Sequence, residues 1–254
     1  MSRSSRTRHR VRNAVVAVLG VVLLVVIGFL AWASTPMMGE RSAALMAWRD
    51  PAVRIHDAGD AVVMEPTGTA SGDGLVFVPG ALVDPYAYLN KLSGAVAATG
   101  LTVVITKPTL NLAFFDQRPL STFTRHAPQV TDWYVGGHSL GGVRACQLAE
   151  QPGVTGLILF GSYCANDLSG TDLRVLSIGG TRDGLSTPAK IAAGRPLLPD
   201  DARMVQIAGM DHAQFGDYGE QPGDRPATID DETARTRLTQ ALSAFLRDDG
   251  SGGR

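Results

Sequence analysis

The sequence has only two cysteines, Cys146 and Cys164, in 254 residues. That is too few for a scaffold held together by disulfides. No group of Cys and His has the spacing of a zinc site. No Gly-rich fingerprint follows a strand as a dinucleotide-binding loop requires. Neither a metal nor an organic cofactor is therefore expected. There is no internal repeat, and the only low-complexity stretch is a short Asp/Gly/Ser tail at 248–253, where fraying is expected. Acid is missing from the start of the chain, the first acidic residue being Glu40. The opening segment carries five arginines instead: Arg3, Arg6, Arg8, Arg10 and Arg12. Setting those aside leaves 18 basic residues against 24 acidic ones. A mildly acidic remainder argues against nucleic acid as a partner, because duplex binding needs clustered Lys and Arg opposite phosphates.

The arginines precede the longest apolar run in the chain, Ala14 to Ala33, which is free of charge over 20 residues. At a rise of about 1.5 Å per residue the run reaches about 30 Å, the thickness of a bilayer's hydrocarbon layer. Trp32 stands at its far end, where interfacial aromatics belong. The segments expected are a basic tail at 1–13 on the cytoplasmic side, a transmembrane anchor at 14–33 and a linker at 34–52. A single folded domain follows at 53–247, outside the cytoplasm, and then the tail at 248–254. Ala31-Trp32-Ala33 also offers a signal-peptidase-like site, so cleavage and secretion is the competing reading; the length of the run favours a retained anchor. Cys146 falls on a predicted helix, three residues after Val143 and three before Ala149, and reads as a small core residue. Cys164 falls in a loop after a strand. The expectation is two unpaired thiols.

Beyond the linker, short apolar strands alternate with helices. Strands are expected within 53–65 and at 75–78, 102–106, 132–135, 156–160, 173–178 and 203–207. Helices are expected at 86–99, 140–150, 187–198 and 229–247, with a weaker one at 117–126. This pattern implies a mostly parallel sheet covered on both faces. In such sheets the chemistry sits beyond the carboxyl ends of the strands.

Three polar residues fall at such ends. Gly137-His138-Ser139-Leu140-Gly141 reads G-x-S-x-G between a strand and a helix, the setting that gives this motif meaning. A serine on so tight a turn projects above the sheet, and glycines two before and two after leave room for neighbouring backbone. A neutral serine needs an imidazole to take its proton, and the imidazole needs a carboxylate behind it. His212 follows the last strand. Of the other histidines, His9 lies before the anchor, His56 in the leading strands and His126 ahead of the serine strand. His138 adjoins the serine, with its side chain expected to point away from the attack path. Asp183 follows the strand at 173–178 between turn glycines and is the expected acid, with Asp211, Asp217 and Asp167 as rivals. The order Ser, acid, His is the one this arrangement uses. Oxyanion donors are expected from the N–H of Leu140, at a helix start, and of Ala81, after Pro79-Gly80. Phe114, Phe115 and Phe215 are candidates for an apolar substrate-binding surface.

Several segments together resemble the α/β-hydrolase superfamily, and within it lidless, dienelactone-hydrolase-like bacterial members. They are Phe77-Val78-Pro79-Gly80-Ala81 with Asp84-Pro85 and Tyr88, Gly136 to Gly142, Gly180 to Gly184, and His212 to Gly219. The resemblance covers about 73–247 and implies an eight-stranded α/β fold with no cap domain. It also implies catalytic roles for Ser139, Asp183 and His212 and hydrolysis of a small-molecule ester or related acyl bond. One departure is plain: dienelactone hydrolases proper use a cysteine nucleophile where this chain has serine. Acyl transfer at the envelope, or a non-catalytic envelope-binding role, are the alternatives; an intact, correctly ordered triad argues against the last.

Overall fold

The computed structural model describes residues 3–248. Met1, Ser2 and all of the expected frayed tail except Asp248 lie outside the described residues. The chain divides into two compact units, one ending at Pro36 and the other beginning at Met37.

The first unit is a single helix, α1 (Arg3–Ala33). Its stretch His9–Ala33 is 25 residues long, with a mean hydropathy of 3.1 over its most apolar window. Among the described residues it is the one helix long and apolar enough to cross a bilayer. Twenty-five residues at helical rise come to about 37 Å.

The second unit is an eight-stranded sheet with helices on both faces. The strands are β1 (Val53–Asp57), β2 (Ala61–Pro66), β3 (Asp73–Val78), β4 (Thr102–Thr106), β5 (Asp132–His138), β6 (Val154–Phe160), β7 (Arg174–Gly180) and β8 (Arg203–Ile207). They lie in the order β1-β2-β4-β3-β5-β6-β7-β8. β1 and β2 pair antiparallel, as do β2 and β4, and the remaining pairs are parallel. The helices are α2 (Arg41–Arg49), α3 (Leu89–Thr99), α4 (Ser121–Thr124), α5 (Leu140–Leu148), α6 (Pro188–Gly194) and α7 (Asp231–Arg247).

Strand side chains alternate between the two faces, and here both faces are apolar. Leu75 and Phe77 pack with Leu92 of α3 and Leu238 of α7. Val76 and Val78, one residue along, pack with Ala145 and Leu148 of α5 and Phe123 of α4. A continuous apolar strand is what two covered faces require. Each fully buried Leu or Phe contributes about 1.5–3 kcal/mol of burial. Helix ends follow their local signals. α3 stops at Gly100, in the left-handed region at φ 76°. α7 starts at Asp230, whose side chain accepts from Thr233 N at 2.7 Å. From β6 to β7 the chain runs directly through 161–173 with no helix inserted, so nothing there caps the sheet.

Three expectations change. The stretch read as a linker at 34–52 is folded from Met37 on: Met37 bridges Val83, and α2 buries Ala43 and Ala47. The helix expected at 117–126 is one turn, Ser121–Thr124, where Ser and β-branched Thr hold helix weakly. The largest correction is Cys146 and Cys164, which form a disulfide with 5.6 Å between their Cα atoms. The crossover from β5 lays α5 beside β6, so the loop leaving β6 passes α5. Asn166 on that loop donates to the Cys146 carbonyl at 3.1 Å. Helical periodicity does place Cys146 inward, but it carries no information about which loop arrives there.

Candidate active site

Ser139 sits between β5 and α5 at φ 53° and ψ −123°. A non-glycine residue rarely adopts this conformation, which costs on the order of 1–3 kcal/mol unless its surroundings enforce it. They do so here through backbone contacts. Ser139 N–H donates to the Phe160 carbonyl at 3.0 Å, and the Ser139 carbonyl accepts from Ser162 Oγ at 2.7 Å and Gly142 N at 3.0 Å. Glycine is needed at 137 and 141 because backbone fills the space. A Cβ on Gly137 would lie 2.5 Å from the Gly141 carbonyl carbon, and one on Gly141 2.1 Å from the Val78 oxygen.

Asp183 and His212 are both fully buried. His212 Nδ1–H donates to Asp183 Oδ2 at 2.8 Å. The other carboxylate oxygen accepts from Leu185 N at 2.9 Å and Ser186 N at 2.6 Å. Asp183 is thus held by its own turn, and its free edge is given to the ring. That bond fixes the tautomer and leaves Nε2 as the acceptor. His212 Nε2 is buried and has no hydrogen-bond partner among the described residues; Ser139 Oγ is not bonded to it. Such contacts often tighten only once substrate is bound. The rival acids are engaged elsewhere. Asp217 pairs with the buried Lys91 at 2.9 Å, Asp211 accepts from Gln214 N, and Asp167 accepts from Ser169. Burial pushes the carboxyls of Asp211 and Asp217 above their ordinary value.

For the oxyanion donors, Gly141 in the first turn of α5 lies against the exit of β3, where a Cβ would meet the Val78 and Pro79 oxygens at 2.1 and 2.3 Å. The loop carrying Ala81 and the start of α5 carrying Leu140 are therefore in contact. Neither N–H is taken up by an internal hydrogen bond among the described residues. Phe114 and Phe115 form an edge-to-face pair, with ring centroids 5.6 Å apart, on the loop after β4. They are 69% and 47% exposed, so they present apolar surface to solvent. Phe215 differs from expectation. It is fully buried, packed on Phe160 and His138. It backs the His212 ring in the core and offers no face to a substrate.

Two participants are not evident from spacing. Asp224 ties the acid loop to the base loop. Its Oδ2 accepts from His212 N at 2.7 Å and Ala213 N at 2.9 Å, and its Oδ1 accepts from Gly184 N at 2.8 Å. His138 turns inward, with its ring centroid 4.5 Å from that of His212. Burial, reinforced by the charge of nearby His212 and opposed by the His212 backbone, holds the His138 imidazole well below its ordinary pKa.

A parallel-centred eight-stranded sheet, a strained serine on the β5–α5 turn and a buried carboxylate–imidazole pair after β7 and β8 describe a hydrolase of the α/β class. Residues 74–236 match the family described as "Alpha/beta hydrolase family", and the chain belongs to that family. No curated protein matches it. Among solved structures, that of a membrane phospholipase A described as a bacterial virulence factor is 15% identical. It aligns over 96% of this chain and 99% of its own, with a TM-score of 0.53. The esterase domain of a Rhodothermus marinus protein is 14% identical over 77% of this chain and 98% of its own, with a TM-score of 0.57. Carboxyl esterase 2 from the fungus Tuber melanosporum is 12% identical over 84% of this chain and 91% of its own, with a TM-score of 0.56. At these identities the likeness is one of fold. Fold and family together make hydrolase activity the general expectation.

Proposed function

We propose that this chain is a serine hydrolase that cleaves a carboxylic ester or related acyl bond through an acyl-enzyme, anchored to a membrane by α1. One observation carries the reading: a buried Asp183–His212 pair, bonded at 2.8 Å, with the His212 ring 4.5 Å from that of His138, the residue before a serine held at φ 53°. Ser139 Oγ–H gives its proton to His212 Nε2 as the oxygen adds to the acyl carbon. The carbonyl oxygen becomes an oxyanion facing the N–H groups of Ala81 and Leu140. His212 then passes the proton to the leaving alcohol as the C–O bond breaks. Water, deprotonated by the same nitrogen, attacks the acyl-enzyme, and the acid leaves as Ser139 recovers its proton. Asp183 remains ionised throughout and stabilises the transient imidazolium. The chemistry asks only for an acyl carbonyl and a leaving oxygen, so the substrate class is a small-molecule ester. The printed description of the Rhodothermus neighbour as an esterase accords with this.

Five arginines ahead of an apolar helix favour a cytoplasmic N-terminus and a catalytic unit outside. The Cys146–Cys164 disulfide suits an oxidising compartment. The test of the chemistry is labelling of the full chain, in detergent or lipid nanodiscs, with a fluorophosphonate probe. The parent protein should label and Ser139→Ala should not. An unlabelled parent, or equal labelling of the variant, refutes the proposal. Reporter fusions at the C-terminus test the orientation.

A further inference from the structure

We propose that Tyr88 and His138 form a positioning relay that couples the oxyanion loop to the catalytic imidazole; this rests on the hydrolase reading above. The relay begins at Gly80, the residue before Ala81. Gly80 N–H donates to Tyr88 Oη at 2.9 Å. Tyr88 Oη lies 3.0 Å from His138 Nδ1. The direction of the second bond follows from the partners available. Gly80 N–H can only donate and occupies one lone pair of Oη, and His138 Nδ1 is the one acceptor within reach of the phenolic proton among the described residues, so Tyr88 Oη–H donates to it. Burial raises the Tyr88 pKa, which keeps that proton in place. His138 Nδ1 is then an acceptor, and the ring is the neutral tautomer with its proton on Nε2.

The relay ends on His212. The His138 ring lies 4.5 Å from the His212 ring and 5.5 Å from Phe215, centroid to centroid. Two faces of the imidazole's surroundings are thereby fixed, since Asp183 already holds its edge. At the other end the fit is equally close. A Cβ on Gly80 would meet His138 Nδ1 at 2.9 Å and Tyr88 Oη at 3.2 Å. The loop that presents Ala81 N–H is therefore seated directly on the pair. All the parts are buried: Tyr88 is 0% exposed and His138 1%. Tyr88 packs on Phe77 at 5.0 Å, and Phe77 on Phe160 at 5.3 Å, so the relay stands on the strands themselves. His138 is also the residue before the nucleophile. One rigid cluster thus touches the strand end carrying Ser139, the loop bearing an oxyanion donor, and the base. Neither Tyr88 nor His138 needs to contact substrate; each acts through a neighbour.

Tyr88→Phe removes one oxygen from a buried ring without changing its shape. His138→Asn keeps an acceptor near the Nδ1 position but loses the ring, and His138→Leu loses both. With a soluble chromogenic ester and the full chain, Tyr88→Phe should lower kcat about tenfold with KM little changed; the buried Gly80 N–H loses its acceptor, so Tm should fall by a few degrees while the enzyme stays fully folded at the assay temperature. His138→Leu should lower kcat at least as far, and His138→Asn should recover part of the loss. The double variant Tyr88→Phe/His138→Leu should lose no more than the worse single one, because both break the same relay. Multiplying losses, or losses that merely follow Tm, would overturn the relay. So would a Tyr88→Phe enzyme within twofold of the parent. Failure of the hydrolase reading looks different: the parent itself would neither label with fluorophosphonate nor turn over ester.

Discussion

Asp224 offers the sharpest test of how the loops carrying the proposed acid and base are kept in register. It contributes nothing to the chemistry, yet its carboxylate receives three N–H groups from the loops carrying Asp183 and His212. The distances are 2.7 Å to His212 N, 2.9 Å to Ala213 N and 2.8 Å to Gly184 N. In Asp224→Ala all three amides lose their acceptor. A hydrogen bond to a charged group contributes about 1.5–3 kcal/mol when buried. Asp224 is half-buried, so water replaces part of each, and about 1 kcal/mol apiece is the reasonable figure. The sum, about 3 kcal/mol, corresponds to a Tm fall of about 6–12 °C for a domain of this size. The effect on rate should be larger than the effect on binding. A shift of the ring by about 1 Å can cost about a hundredfold in rate, while the proposed substrate surface at Phe114 and Phe115 is untouched. The expected result is a kcat reduced ten- to a hundredfold with KM within about twofold. Asp224→Asn should rescue poorly, since its amide turns an N–H toward one of the two N–H sets. The assays are steady-state turnover of a short-chain ester and thermal melting of the full chain in the same detergent. A variant that keeps parental kcat would show that the loops hold themselves, and a loss confined to KM would place Asp224 on the substrate path.

Replacing exposed Phe114 and Phe115 with Ser should leave Tm unchanged. Turnover of long-chain esters should fall by about fivefold or more, at ~0.8 kcal/mol per methylene no longer covered, while acetate esters are spared; parallel losses on both would reject an acyl-contact role. Reducing the Cys146–Cys164 disulfide, or changing both residues to Ser, should cost about 3 kcal/mol, since a loop of this length loses that much constraint in the unfolded chain. Equal melting with and without reductant would count against it. Lys91 is fully buried between Asp217 at 2.9 Å and Asp231 at 3.0 Å. Lys91→Met strands the Asp217 carboxylate and should cost about 3–5 kcal/mol at neutral pH, with partial recovery in acid as that carboxyl protonates. The pH dependence of stability should also carry His138, held well below its ordinary 6.5. The unfolded chain takes up a proton near pH 6.5 that the folded chain refuses. Stability present above that pH is therefore lost as pH falls toward the lower folded value, at up to about 1.4 kcal/mol per unit. His138→Asn should flatten this slope in melts between pH 5 and 7.

The fold was legible because its signals are local. Leu75 to Val78, Thr102 to Thr106 and Gly156 to Phe160 are unbroken apolar runs of strand length, and a parallel sheet covered on both faces is the arrangement that buries them. Gly100 at the end of α3 and Asp230 at the start of α7 mark their helix ends by residue type alone. The serine turn was legible for a different reason. Its glycines record steric contacts, with Val78 O and Pro79 O against Gly141, that no other residue would permit. His212 and Asp183 could be placed because chain order and strand ends confine them to two loops.

What escaped was everything decided by which loop meets which. Cys146 and Cys164 stand 18 positions apart, and helical periodicity alone turns the first inward without naming its partner. Asp224 lies in a Gly-, Pro- and Asp-rich stretch whose composition says only that the chain turns; its four acceptor sites matter because two other loops bring their amides to it. Phe215 has the residue type of a substrate wall but the location of a core residue, and sequence distance from His212 is the same in either case. His138 shows the limit most clearly. Alternation along β5 says that the residue before Ser139 faces opposite to its neighbour, which suggests a bystander. In the fold, that opposite face is where α3, the 79–81 loop and the His212 loop converge. The side chain expected to point away from the attack path is thereby directed at His212 and the 79–81 loop. A site built from several loops is specified by pairwise contacts among distant residues, and those contacts leave a trace in one sequence only where they exclude a side chain, as at the glycines. Where they are made by a side chain, as at Tyr88, His138 and Asp224, the sequence shows an ordinary residue, and the geometry alone shows what it holds.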